Sequence, residues 1–329
     1  MDLRIGRRGQ VGSAVTFSPA LTLVPTRGCF NDCAYCGFRL PPTQADPLAD
    51  GEAVEAMRAR PEAAEILLLS GEVAPGSPQR AAWFARLVRL SRLALMAGRL
   101  PHTNAGPLSL AEMAALGRLN PSMGLMLEGL GPAYAALHRR APSKAESVRI
   151  DQIAQAGRLG IPFTTGLLLG VGESAADRER ALTLIARLQD RFGHIQEVIL
   201  QPWRPGDAAA QPLNRRERAD VLDAVVMARA LLPGSIHLQL PANLWPIDQL
   251  PRALEAGIDD LGGIDDRDVI NPAYRQPTHD ALRRCVAQAG RRLEARLCVH
   301  REWQRWLSGP LRHAAEVTEQ LLASRHHRF

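Results

Sequence analysis

Lysine is almost missing from this chain: of 40 Lys and Arg residues, only Lys144 is a lysine. Aromatics are also scarce, at 5% and scattered. A nucleic-acid binder needs basic residues gathered on one face with aromatics interleaved for base stacking. Here the net charge of +6 is thin and spread along the chain. No nucleic-acid partner is therefore expected, and the arginine excess reads as compositional bias. No apolar run approaches the ~18 residues of a membrane helix, so no membrane partner is expected. Residues 1–10 are basic, but no apolar stretch follows them, so no secretory signal is expected. Cysteine is sparse and uneven. Cys29, Cys33 and Cys36 lie within eight residues, whereas Cys285 and Cys298 are far away. An odd, clustered set does not build a disulfide framework; it points to a reducing, cytoplasmic location and a metal site.

With 329 residues, 46% of them hydrophobic, one large barrel or two modest domains would both bury a substantial core. Strand-like runs occur at Leu21–Val24, Glu65–Leu69, Leu100–Thr103, Gly124–Leu127, Phe163–Leu169, Glu197–Leu200, Ile236–Leu240 and Asp260–Gly263. Amphipathic helical patterns separate them, as over residues 81–98, where apolar positions recur at three and four. Ser109 with Glu112 forms a capping box, and Asn214 with Glu217 is a similar start. Gly98, Gly160, Gly193, Gly257 and Gly290 punctuate helix ends. Eight β–α alternations in about 250 residues predict a parallel (β/α)8 TIM-type barrel. An open doubly wound sheet shares that alternation, so closure stays open at this point. The expected division is an N-terminal arm over 1–13, the barrel over 14–290, and a C-terminal helical extension over 291–329 with Trp303 and Trp306.

The sharpest feature is the C-x3-C-x2-C spacing of Cys29, Cys33 and Cys36, directly after the first strand. Three thiolates on one loop suit a soft metal centre. Structural zinc wants a fourth Cys or His, and none follows until His102, so a zinc site completed by a distant histidine is one alternative. Ordinary iron–sulfur clusters use four thiolates. Three would leave one iron open to a chelating ligand. In a parallel barrel, active groups belong at the C-terminal ends of strands. Ser70-Gly71-Glu72 follows the second strand, His102-Thr103-Asn104 ends the third, and Glu128 ends the fourth. Gly166 lies on the fifth and Gly170 in the loop after it, with Arg149 on the helix before it. Gln201, Arg204, Gln239 and Asn243 lie at or after the sixth and seventh, where they could line a polar substrate pocket.

The cysteine loop, with Tyr35 just before its last cysteine, resembles the signature of the radical S-adenosylmethionine (radical SAM) superfamily. The resemblance implies a [4Fe–4S] cluster on Cys29, Cys33 and Cys36, whose open iron chelates S-adenosyl-L-methionine. It implies that Ser70-Gly71-Glu72 meets the cofactor amino group, that Glu128 holds the ribose hydroxyls, and that Arg149 meets the carboxylate. Gly166 and Gly170 would admit the adenine. Longer strings, Pro101–Gly106, Pro121–Glu128, Ile161–Gly166, Gly193–Ile199, Pro241–Leu244 and Ala256–Asp260, resemble the 7,8-didemethyl-8-hydroxy-5-deazariboflavin synthase family. The likeness runs from about residue 14 to 300 and departs after strand six and after strand eight.

That family implies a radical ring closure. A 5′-deoxyadenosyl radical takes a hydrogen atom from a uracil carrying a ribityl arm and a 4-hydroxybenzyl group, the ring closes and ammonia leaves. His102 and Tyr35 are the candidate catalytic residues; Asn104, Gln201 and Asn243 are the candidate substrate contacts. An electron-donor protein is implied. So is a separate tyrosine-transferring radical SAM sister enzyme, because one cysteine loop and one barrel's length leave room for the closing half only. The sister enzyme itself resembles this chain less well, since its loop after strand two reads Gly-Gly-x-x-Pro in place of Ser70-Gly71-Glu72. A biotin-synthase-like protein would need a second cluster, and Cys285 and Cys298 are too few for it. Cys285 lies on an amphipathic helix pattern and reads as a packing thiol.

Overall fold

The computed structural model describes residues 14–33, 36–44, 46–205 and 210–325. The N-terminal arm expected over residues 1–13 lies outside them. Strands and helices alternate: β1 (Ala14–Leu23), α1 (Asp50–Ala59), β2 (Glu65–Leu69), α2 (Arg80–Met96), β3 (Leu100–Asn104), α3 (Leu110–Gly117), β4 (Ser122–Gly124), α4 (Pro132–Leu137) and α5 (Glu146–Arg158). They continue through β5 (Phe163–Leu169), α6 (Ala175–Phe192), β6 (Ile195–Pro202), α7 (Arg215–Leu231), β7 (His237–Gln239), α8 (Leu250–Ala256), β8 (Asp260–Ile264), α9 (His279–Gln288), β9 (Arg292–Ala295) and α10 (Gly309–Arg325). The first eight strands follow one another in parallel, and β1 pairs with both β2 and β8, which closes the ring. The fold is a (β/α)8 barrel, which settles the choice left open between a closed and an open sheet. All seven residues of β5 are buried, as expected where helices cover the outside and side chains fill the inside. No helix among the described residues is long and apolar enough to cross a membrane.

Local signals hold where chemistry dictates them. The side chain of Ser109 accepts from the Glu112 backbone N–H, and Glu112 accepts from the Ser109 N–H. Asn214 and Glu217 make the same reciprocal pair. Gly98, Gly160, Gly193, Gly257 and Gly290 all take positive φ just past helix ends, where a Cβ would be strained.

Three strands differ from expectation. β1 starts at Ala14, not Leu21, because its lower half Ala14–Phe17 pairs with β9 while Ala20–Leu23 pairs with β2. Pro19, which reads as a strand breaker, sits at that handover and still accepts a hydrogen bond at 2.8 Å from the Ala64 N–H. β4 ends at Gly124, and the expected Gly124–Leu127 stretch follows as an irregular run that rejoins the sheet at Glu128. The C-terminal extension opens with a strand, β9, before it becomes helical from Arg301.

That extension forms the barrel floor. Leu297, Cys298 and Val299 are buried with Leu100, Trp303 and Leu311. Ser122 and Gln196 both donate to the Cys298 carbonyl, at 2.8 and 3.0 Å. Arg296 reaches inward, donating to Asp260 Oδ2 at 2.6 Å and to Glu197 Oε2 at 2.7 Å. Burial alone would lower the basicity of Arg296, but Asp260 and Glu197 reverse the direction and hold it protonated. Removing one partner of such a buried network costs about 3–5 kcal/mol, because the remaining charges lose their compensation. Arg296→Met should therefore destabilise the protein by about that amount in denaturant unfolding. Arg301→Met, which breaks an exposed pair with Glu319, should cost under about 1 kcal/mol. Equal effects of the two would contradict the floor assignment.

Candidate active site at the barrel mouth

A cavity of about 330 Å³ opens at the C-terminal ends of the strands. That volume suits small molecules. The loop after β1 brings Cys29, Cys33 and Cys36 to its wall. The loop is pinned at its base by Leu40 N–H to the Arg27 carbonyl at 2.8 Å and Cys29 N–H to the Leu40 carbonyl at 3.1 Å. The loop after β2 packs directly against it. Gly71 donates to the Thr26 carbonyl at 2.7 Å, and a Cβ on Gly71 would lie 2.3 Å from the Gly28 oxygen. Only glycine permits that approach. Ser70, beside it on the wall, accepts from Trp83 Nε1 at 3.0 Å.

Glu72 joins three segments. Its Oε2 accepts from Asn31 Nδ2 at 3.0 Å and from the Ser143 hydroxyl, and its Oε1 accepts from Arg149 Nη2 at 2.9 Å. Its backbone carbonyl takes the Phe30 N–H at 3.0 Å. Arg149, on α5, is 2% exposed, so it is no surface arginine. Its Nε is buried without a hydrogen-bond partner.

Glu128 is the one non-glycine among the described residues with a positive φ, +69°. Such strain persists where surrounding structure enforces it, and it clusters at functional sites. Hydrogen bonds from Glu128 N–H to Gly166 at 2.9 Å and from Leu168 N–H to Glu128 at 2.8 Å hold the backbone in place. Its carboxylate pairs with His138 Nε2 at 2.7 Å and with the Lys144 ammonium. Burial alone would raise its pKa, but Lys144 and His138 hold it well below the usual carboxylate range. The sole lysine of the chain thus stands at the cavity wall. Burial pushes the Cys33 thiol up to about 12, with Lys144 drawing it back. Without metal, that thiol stays protonated; metal binding displaces the proton.

The cavity has two chemical sides. Glu72, Glu128, Lys144, Arg149 and the three thiols occupy one. Asn104, Gln201 and Gln239 add side-chain amides from the ends of β3, β6 and β7, and Asn243, Asn271 and Gln276 add them from the loops after β7 and β8, where Arg267 also lines the cavity. The expected cavity contacts Asn104, Gln201 and Asn243 are therefore all at the wall. Other expected residues are placed differently. His102 faces the barrel interior but does not line the cavity. It lies two residues, about 7 Å of strand rise, below Asn104. Its Nδ1 lies 2.7 Å from Ser122 Oγ, and burial, aided by Arg296, pushes its pKa down to about 3. The space beside Gly166 is taken by β6, since a Cβ there would meet the Ile199 oxygen at 2.3 Å. Gly170 sits at φ +88° in a turn closed by the Glu173 carboxylate, away from the wall. Arg204 is paired with Glu217 at 2.9 Å and Thr103 with Asn120 at 2.8 Å, neither at the wall. Tyr35 and residues 206 and 207 lie outside the described residues.

Asn31, Ser143, Lys144 and Gln276 had not been expected at the site. Only Lys144 carried a signal, its uniqueness. No histidine and no fourth cysteine lines the cavity among the described residues. Completion of a zinc site by a distant histidine therefore has no support here, whereas three soft donors with a vacant fourth position fit a [4Fe–4S] cluster that also binds S-adenosylmethionine.

Comparison with known proteins agrees. The Radical SAM superfamily profile matches residues 23–185. The folds of HydG, a maturase of the [FeFe]-hydrogenase, and of methylornithine synthase superpose with TM-scores of 0.69 and 0.64 at 13% and 15% identity. They cover 97% and 86% of this chain, and 84% of each of those chains. Fold and site define a radical SAM protein. The 7,8-didemethyl-8-hydroxy-5-deazariboflavin synthase of Synechococcus elongatus is 49% identical over 89% of both chains. That of Gloeobacter violaceus is 51% identical over 87% of this chain and 90% of its own. The chain belongs to the 7,8-didemethyl-8-hydroxy-5-deazariboflavin synthase family.

Replacing Cys29, Cys33 or Cys36 by alanine should abolish S-adenosylmethionine cleavage, and removing all three should empty the protein of iron and acid-labile sulfide. Cys285→Ala and Cys298→Ala should keep both. Full iron and sulfide in the triple variant would overturn the assignment.

Proposed function

We propose that this enzyme closes the deazaflavin ring. It would convert 5-amino-5-(4-hydroxybenzyl)-6-(D-ribitylimino)-5,6-dihydrouracil to 7,8-didemethyl-8-hydroxy-5-deazariboflavin, releasing ammonia, methionine and 5′-deoxyadenosine. The observation that carries this reading is near-full-length identity of about half to synthases of that name, with the three-thiol cavity intact. The bound cluster and S-adenosylmethionine supply one-electron cleavage and hydrogen-atom abstraction; the protein binds, orients and excludes water. Glu72 and Arg149 carry complementary charges for the ammonium and carboxylate of the cofactor, and the unpartnered Nε of Arg149 suits an added carboxylate. Ser70 and Gly71 bring backbone to the same point. Glu128 serves the ribose hydroxyls, and Gly166 lets β6 pack closely against the strand beside the adenine. Asn104, Gln201 and Asn243 face the substrate. An electron-donor protein supplies the reducing electron, a separate tyrosine-transferring radical SAM enzyme supplies the adduct, and the setting is the cytoplasm.

One barrel with one cysteine loop should perform only the closing half. Purified, reconstituted protein supplied with the preformed adduct, S-adenosylmethionine and a reductant should yield fluorescent deazaflavin, methionine and 5′-deoxyadenosine. With tyrosine and the ribityl-aminouracil in place of the adduct it should yield no deazaflavin. Deazaflavin from the second mixture would refute the division of labour. Cofactor cleavage without deazaflavin from either mixture would refute the substrate assignment.

A further inference from the structure

The loop that follows β8 is fixed beside the cavity by its aspartates. Asp265 accepts from the Thr22 N–H at 2.6 Å and pairs with Arg60 at 2.7 Å, tying the loop to β1 and α1. Asp268 accepts from the N–H groups of Ile270 and Asn271 at 2.8 and 2.9 Å, and from Asn243 Nδ2 at 2.9 Å. Asn243 also donates to the Tyr274 carbonyl at 3.2 Å. These contacts hold the next residues of the loop, and among them Gln276 lines the cavity. Its Oε1 is buried and accepts no hydrogen bond. A buried acceptor left unmatched opposes folding, and such groups are rare without a reason. Gln276 belongs to the cavity wall, so a turn of its carboxamide brings that acceptor to a donor on the bound ligand.

The chemistry of that donor follows from the side chain. A carboxamide presents an acceptor and a donor side by side, so its matched partner is an edge with a donor beside an acceptor. A cyclic imide offers that edge, because its N–H is flanked by carbonyls. Resting on the reading above, in which the substrate is a dihydrouracil, we propose that Gln276 is a specificity-determining residue that reads the imide edge of the pyrimidine ring. Oε1 accepts the ring N–H between the two carbonyls, and Nε2 donates to one of those carbonyls. The ribityl arm and the hydroxybenzyl group are left to the rest of the wall. A site that hydrogen-bonds a ligand N–H rejects the analogue lacking it, since the buried acceptor is then unpaired.

The test measures adduct affinity in the cluster-loaded protein with S-adenosylmethionine and no reductant, so that no turnover occurs. Two ligands are compared: the adduct, and the adduct methylated on its imide nitrogen. In the unaltered protein, methylation should weaken binding about tenfold or more. Gln276→Leu should weaken the unmodified adduct by a similar factor and should make methylation nearly indifferent. Its iron content and S-adenosylmethionine affinity should stay unchanged. Equal sensitivity to methylation in both proteins would overturn the proposal while leaving the ring-closing function intact. So would tight binding of the methylated adduct by the unaltered protein, which needs no variant to observe. Donation to Gln276 from a ribityl hydroxyl would give that same methylation-insensitive result. Failure of the unaltered protein to bind either ligand would overturn the substrate reading itself, and this inference with it.

Discussion

The carboxylate of Glu72 is the interaction on which the mouth of the barrel depends. It gathers Asn31 from the cysteine loop, Ser143 from the segment before α5, and Arg149 from α5, while its own backbone holds Phe30. A carboxylate with little exposure to water gains from such partners, because uncompensated charge is costly away from water. The neighbourhood is shaped to let it in. Gly71 allows the chain to approach the cysteine loop, and a Cβ on Gly106 would meet the Glu72 side chain at 2.4 Å. Three segments far apart in sequence therefore acquire a fixed mutual geometry, and the thiols of one are set against the cation of another.

From that hub the division of the cavity follows. The side next to Glu72 is charged in balance, with Arg149 and Lys144 against Glu72 and Glu128. A zwitterionic ligand can exchange partners there without leaving a net buried charge. The opposite side presents amides, which recognise neutral donors and acceptors, together with the cation Arg267. Asp265 and Asp268, the acids of that wall, are held by Arg60 and by backbone and amide N–H groups. The floor does different work. Arg296 ties β8 and β6 together from below, so the strand ends that carry the site close around one axis.

Much of this was readable in the sequence where a period or a spacing carried it. The strands at Glu65–Leu69 and Phe163–Leu169 stand where their apolar runs end. The cysteine spacing named its loop and its chemistry. What escaped has physical causes. The lower half of β1 was hidden by Pro19, tolerated because it needs to give no N–H at the handover between β9 and β2. β9 is four residues, none fully buried, and so has no hydrophobic run to betray it. His102 shows that alternation along a strand fixes the face of a side chain but not its depth in a barrel. Gln276 lies in a loop without motif or period, and its meaning comes from what surrounds it. Lys144 was visible only as a count; its place beside Glu128 and Cys33 came from the fold.

The central claim is that one cavity holds the cofactor and the pyrimidine adduct against each other, closely enough for a hydrogen atom to pass between them. The direct measurement uses adduct deuterated at every carbon-bound position and mass spectrometry of the 5′-deoxyadenosine released with the deazaflavin. The account predicts deuterium in the methyl group of that 5′-deoxyadenosine. Deazaflavin formed alongside 5′-deoxyadenosine that carries protium alone, both in that run and with unlabelled adduct in D2O, would contradict it.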